Sequence, residues 1–139
     1  MTIGSSAEVQ KLVLDTLKAN SDVMALVNNV YDNVPQSPFG TKTAYISFGP
    51  SDTHDDGSDD CAVNLQTTLQ IDVWSIAVGA VECKKLVDLV RRAFTGKPFT
   101  LTENAFIDAT VELARVMMDP DGATHHGVVQ VSFLVEEPA

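Results

Sequence analysis

The sequence predicts an α+β fold: a mostly antiparallel sheet, with a mixed one also compatible, and helices on one face, in the order α-α-β-β-α-β-β-β. Three observations predict it. Apolar residues recur at helical spacing near the N-terminus and again over 79–95. From Val63 to Val73, apolar and polar residues alternate, with Thr67 on the apolar side, as in a strand with one face on a core. Near the C-terminus two further alternating runs flank Asp119-Pro120-Asp121-Gly122, a turn sequence.

Each element follows in order. Ser5-Ser6-Ala7-Glu8 matches a capping box, in which Ser5 would accept from the backbone N–H of Glu8. Val9, Leu12, Val13, Thr16 and Leu17 then mark an amphipathic helix that ends near Ala19-Asn20. Ser21-Asp22 opens a short second helix, which Asn28-Asn29 stops. Tyr31 to Gly40 holds two prolines and reads as extended, irregular chain. Ala44, Ile46 and Phe48 alternate with Tyr45 and Ser47, which makes 43–49 a strand. Pro50 to Asp60 reads as a polar, acidic and mobile loop, because like charges crowd it.

The strand from Val63 carries Leu65, Thr67, Leu69, Ile71 and Val73 on one face, and Asn64, Gln66, Thr68, Gln70 and Asp72 on the other. Trp74 falls on the polar side. Gly79 to Thr95 is a helix with Cys83, Leu86, Val87, Val90 and Phe94 on one stripe and an Asp88–Arg92 pair at i,i+4. Gly96 is placed to end it in the left-handed region, and Pro98 prevents its continuation. Phe99 to Leu101 has the composition of a short strand. Ala109, Val111 and Leu113 face one way, Val116 and Met118 the other, and a bulge near Arg115 would reconcile them. Val129, Val131, Phe133 and Val135 form the returning strand.

At 139 residues, one domain spanning 1–139 is expected. A chain of about 150 residues buries roughly 70% of its unfolded surface, enough for one core without staples. The net charge of −10 opposes direct nucleic-acid binding, which draws on Lys and Arg displacing counterions. Cys61 and Cys83 form no C-x-x-C and read as two reduced, partly buried thiols, with a disulfide left open. Glu8, Lys11, Asp15 and Lys18 interrupt any signal-peptide core, and no apolar run approaches the 18 or so residues of a spanning helix. A soluble protein retained where it is made is expected.

Few residues suggest a chemistry. Aligned on Gly57, Asp52, His54 and Asp56 occupy the first, third and fifth positions of a calcium loop. Position twelve is then Val63 where a bidentate Glu is required, so a solvated loop is the better reading. His125-His126 stands near Asp119 and Asp121, but adjacent strand residues point to opposite faces and cannot both chelate one ion unaided. No Ser-His-Asp arrangement, G-x-S-x-G or phosphate loop is present, and no catalytic, metal or cofactor residue is assigned. Met117-Met118 reads as strand packing. Trp74 is the residue to single out for binding. On a polar face it is covered either by a neighbouring loop or by another subunit, and interface hot spots are enriched in Trp.

Three segments carry a family resemblance. V-Y-D-N-V-P-Q at 30–36, V-W-S-I-A-V-G-A-V-E at 73–82, and the stretch from Arg115 to Glu137 with D-P-D-G and H-G-V-V stand in order. Together they resemble the tail completion (tail terminator) proteins of long-tailed bacteriophages, prophages and gene-transfer-agent particles, over about Ala7 to Glu137. The resemblance implies a structural virion protein and not an enzyme. Such a protein caps the tail tube as a ring, usually a hexamer, stops tube growth and offers a surface for head-tail joining. The implied partners are the chain itself, the tail tube protein and a head-side neck or connector protein, with no membrane. DNA passes through the ring without direct binding, and negative charge facing the lumen would suit that passage. The implied location is the tail-neck region of the virion, after assembly in the host bacterial cytoplasm. A neck or tail-to-head joining protein shares the pattern, and a soluble small-ligand or metal-binding α+β module is the alternative from another class. In the family pattern His126 stabilises the turn. The Asp-rich stretch and the doubled histidine depart from the pattern. Asp55, Asp56, Asp59, Asp60, Asp121 and His126 join Trp74 as partner-interface candidates.

Overall fold

The computed structural model describes residues 4–57 and 62–138. Three helices, α1 (Ser5–Lys18), α2 (Ser21–Leu26) and α3 (Val81–Ala93), accompany five strands. The strands are β1 (Val30–Tyr31), β2 (Ala44–Asp55), β3 (Ala62–Ser75), β4 (Ala105–Met118) and β5 (His125–Pro138). They form one mixed sheet in the order β1-β2-β3-β5-β4, antiparallel except where β1 joins β2. The fold is therefore α+β, with α1 and α3 packed on one face.

The period-two reading of β3 holds. Thr67, Leu69, Ile71, Val73 and Ser75 are buried beneath the helices, and Val129, Val131, Phe133 and Val135 of β5 extend that surface. Val9, Val13 and Leu17 of α1 close the core with Cys83, Leu86, Val90 and Phe94. Gly127 shows how tightly α3 sits. A Cβ there would lie 2.4 Å from Val87 Cγ2 and 3.1 Å from Cys83 Sγ, so only glycine admits the helix. Burial, and next Glu82, push the Cys83 thiol up to about 11, so it stays a neutral core group.

Helix starts differ from the sequence reading. Gly4 is the N-cap of α1, and the Ser5 N–H donates to the Glu137 carboxylate at 2.9 Å. No capping box forms, because Glu8 turns toward the 102–104 segment. Its carboxylate accepts from the backbone N–H groups of Thr102, Glu103 and Asn104 and from Asn104 Nδ2. Burial pushes the Glu8 pKa up, but the hydrogen bonds led by Glu103 outweigh it and hold the carboxyl below its ordinary value. Asn20 caps α2 by accepting from Asp22 and Val23. Asp88 reaches Arg91 at 3.8 Å, one position before the predicted Arg92.

Strand boundaries differ for physical reasons too. Phe99 to Leu101 runs as coil, with Phe99 held by ring packing between Phe94 and Phe106 rather than by a backbone ladder; the fifth strand is Val30–Tyr31 instead. In β4 the register shifts fall between Phe106 and Asp108 and between Val111 and Leu113, upstream of Arg115. The second shift sends Leu113 to the outer face and brings Ala114 and Val116 inward. The predicted acidic loop is largely strand: Ser51–Asp55 pairs with Leu65–Leu69 after a shift at Gly49-Pro50. The pleat puts Asp52 and Asp55 on opposite faces, and both are exposed, so water screens a repulsion that the backbone ladder outweighs. Asp59, Asp60 and Cys61 lie outside the described residues.

The turn behaves as read. Gly122 has φ +73° and donates to the Asp119 carbonyl at 2.9 Å, while the Asp119 N–H donates to Thr124 O at 2.8 Å. Gly96, at φ +64°, follows the end of α3. Among the described residues, no helix is long and apolar enough to cross a membrane.

Candidate functional site

The face of the sheet away from the helices is where unassigned side chains collect. At one end, register places Tyr45, Trp74, His126 and Met117 side by side across β2, β3, β5 and β4. The His126 imidazole lies flat on the Trp74 indole, centroids 3.9 Å apart and planes 8° from parallel. Tyr45 stands 6.2 Å from the other side of Trp74, and Phe39 meets Tyr45 edge-on at 4.8 Å. Aromatic pairs of this kind are worth about 0.5–1.5 kcal/mol beyond their area.

Beneath this row sits a polar one. The Trp74 Nε1–H donates to Ser47 Oγ at 3.0 Å. Asp72 Oδ1 lies 2.8 Å from His126 Nε2 and accepts from Gln70 Nε2 at 2.9 Å. Gly49 makes room for that carboxylate, since a Cβ there would stand 2.7 Å from Asp72 Oδ2. Burial first, then Asp72, Asp119 and Tyr31, raise the Tyr45 phenol above its ordinary pKa, so it remains neutral. Asp72 and His126 resemble half of a catalytic relay, but the nearby hydroxyl, Ser47, is occupied by the indole. The arrangement fixes a flat aromatic platform.

Of the predicted interface candidates among the described residues, Trp74 and His126 are brought into contact by the structure. Trp74 lies on the outer face as alternation requires, and its own neighbours cover part of it. His126 serves Asp72 rather than the turn, contrary to the role the resemblance implies. The turn is held by Asp121, whose carboxylate accepts from the Ala123 and Thr124 N–H groups and from Thr124 Oγ1. These bonds lower the Asp121 pKa. Asp55 and Asp56 belong to the opposite end of the sheet. Asp55 is paired with Leu65, nine residues from Trp74 and hence roughly 30 Å along the strand. Among the described residues no three His, Cys, Asp or Glu side chains group as a metal ion would require.

Sequence reasoning missed Asp72, Ser47 and Gly127. Asp72 carried a signal: it is the one charged residue among the polar positions from Asn64 to Asp72. Gly127 carried one as well, as a glycine inside an otherwise continuous alternating strand.

Known proteins share the sequence pattern and the fold. The profile of a family described as Tail completion protein gp17 matches residues 11–136. Tail completion protein gp17 of Bacillus phage SPP1 is 27% identical over 133 residues, spanning 94% of each chain. A chain in the virion of a native gene transfer agent particle superimposes with a TM-score of 0.83 at 25% identity, over 94% of this chain and 96% of that one. The profile covers the sheet, α2, α3 and most of α1, so the chain belongs to the tail completion protein gp17 family.

Proposed function

We propose that this chain is a structural protein of a phage-type tail, which closes as a ring on the last ring of the tail tube. There it ends tube growth and offers its outward side to a head-side neck protein. The observation that carries this reading is the likeness, along almost the whole of both chains, to a chain built into a gene transfer agent virion. The family match supports it independently. The function is assembly and not catalysis. A ring needs a heterologous interface, in which two different surfaces of the same chain meet and close by rotation. The sheet supplies two different edges, β4 on one side and the outer half of β2 on the other. Trp74, with His126 stacked on it, is the interface candidate on the outer face.

Deleting the gene from its parent particle tests the reading. Overlong or headless tails are expected. Tails of normal length joined to heads would overturn it, and normal-length tails lacking heads would shift the role to tail-to-head joining alone.

A further inference from the structure

Charge is divided between the layers. Among the described residues of 43–75 and 104–138, which hold β2 to β5, ten side chains are acidic and one, Arg115, is basic. The remainder of the described residues, mainly the helices, carries eight basic and seven acidic. The division is also lateral. Beyond β1, β2 pairs on that side with no other strand among the described residues, and there Asp52 and His54 are exposed. On the opposite side of the molecule, β4 is the other free edge. A groove of about 280 Å³ runs between α3 and β4, floored by Val87 and Val116 and rimmed by Lys84 and Arg115. Asp88 also lines it and lies 3.8 Å from Arg91, whereas Lys84 and Arg115 form no ion pair with the described residues. The acids of β4, Asp108 and Glu112, occupy its other half.

We infer that the acidic outer edge of β2 in one copy seats against the Lys84–Arg115 groove beside β4 of the next copy, head to tail. The inference rests on the ring reading and supplies its joint. Strand direction agrees. β2 and β5 run one way and β3 and β4 the other, so copies related by rotation about an axis along the strands bring β4 antiparallel to the neighbouring β2. Register adds a stagger. The chain of partners from Asp52 runs through Thr68 and Ser132 to Thr110, and Arg115 lies four ladder positions away, roughly 13 Å. Strands that close round an axis are inclined to it, and inclination produces such a stagger. Exposed Met117 and Met118 give the β4 side apolar area for the contact. The partner is a second copy because both halves of the contact are present on this one chain.

Two charge-reversed variants of the full chain provide the test, D52K and K84E/R115E. Assembly is followed by sedimentation, alone and on purified tail tubes. Each variant alone presents like charges at every joint, and the concentration for half assembly should rise ten-fold or more. Mixed in equal amounts, they can alternate round the ring with every joint complementary, and assembly should return. Variants that assemble like the parent, or a mixture no better than either alone, would overturn the inference while leaving the ring reading intact. A parent chain that stays monomeric in both settings would overturn both. Circular dichroism melts of the two variants, expected to match the parent, keep a folding defect from imitating the result.

Discussion

The two ends of β3 obey the same alternation and present opposite surfaces. At the Trp74 end the outer face is bound within the molecule: an imidazole on the indole, a serine on its N–H, and an aspartate bonded to histidine and glutamine. The inner face there meets α3 across Gly127 with no space left. At the Leu65 end the paired segment 50–57 is exposed at every residue. A strand's pattern therefore shows which way each side chain points, and the neighbouring elements decide whether that direction ends in packing or in water. Packed ends set stability, while exposed charged ends set whom a surface meets.

Substitutions should separate the two ends by size of effect. Gly127→Val should be the most damaging, because side-chain atoms would enter space already filled by Val87 and Cys83. Overpacking of this kind costs about 3 kcal/mol, read as a lower denaturation midpoint with an unchanged slope. A melt like the parent's would show that α3 does not rest on β5 as described. Glu8→Ala should follow at about 2 kcal/mol, since three backbone N–H groups lose their acceptor. The pH dependence has a definite sign. The folded pKa of Glu8 is lowered, so its contribution is present above the unfolded value, about 4.3, and disappears as pH falls through the folded value. Glu8→Gln should accordingly be weaker than the parent at pH 7, and the two melts should converge in acid. A constant gap across that range would contradict the assignment.

At the aromatic end, Trp74→Phe keeps a ring beside His126 but deletes the bond to Ser47, for a loss near 1 kcal/mol in chemical denaturation. An unchanged midpoint would mean that the N–H is equally satisfied by water. Asp52→Asn should be smallest, within about 0.5 kcal/mol, as is usual for surface positions. A larger loss would show that the exposed end contributes to folding, and the comparison between the ends would need redrawing.

Much of the fold was legible because periodicity reports burial directly. The run from Val63 to Val73, the stripe from Cys83 to Phe94 and the Asp119–Gly122 turn each sit where the sequence places them. Features that depend on a distant partner were not legible. Ser5 and Glu8 fit a local capping pattern, yet residues 102–104 and 137 outcompete it from the far end of the chain. Charge density around Asp52–Asp55 suggested a loop, because repulsion is visible in sequence and a backbone ladder is not. Trp74 was correctly set on the outer face, but its stacking partner lies 52 positions away and only the sheet order brings them together.

The sheet order also governs when the protein can exist. β5 follows β4 in the chain but lies between β3 and β4, with partners on both sides from His125 to Glu136. Val129, Val131, Phe133 and Val135 supply the middle of the core, so a nascent chain has nothing to fold around until the ribosome has passed those codons. Contacts this distant in sequence form slowly, and β3 must wait unpaired on one side with its apolar face uncovered. A chain broken off before residue 125 lacks the strand that joins its two halves and cannot close the core.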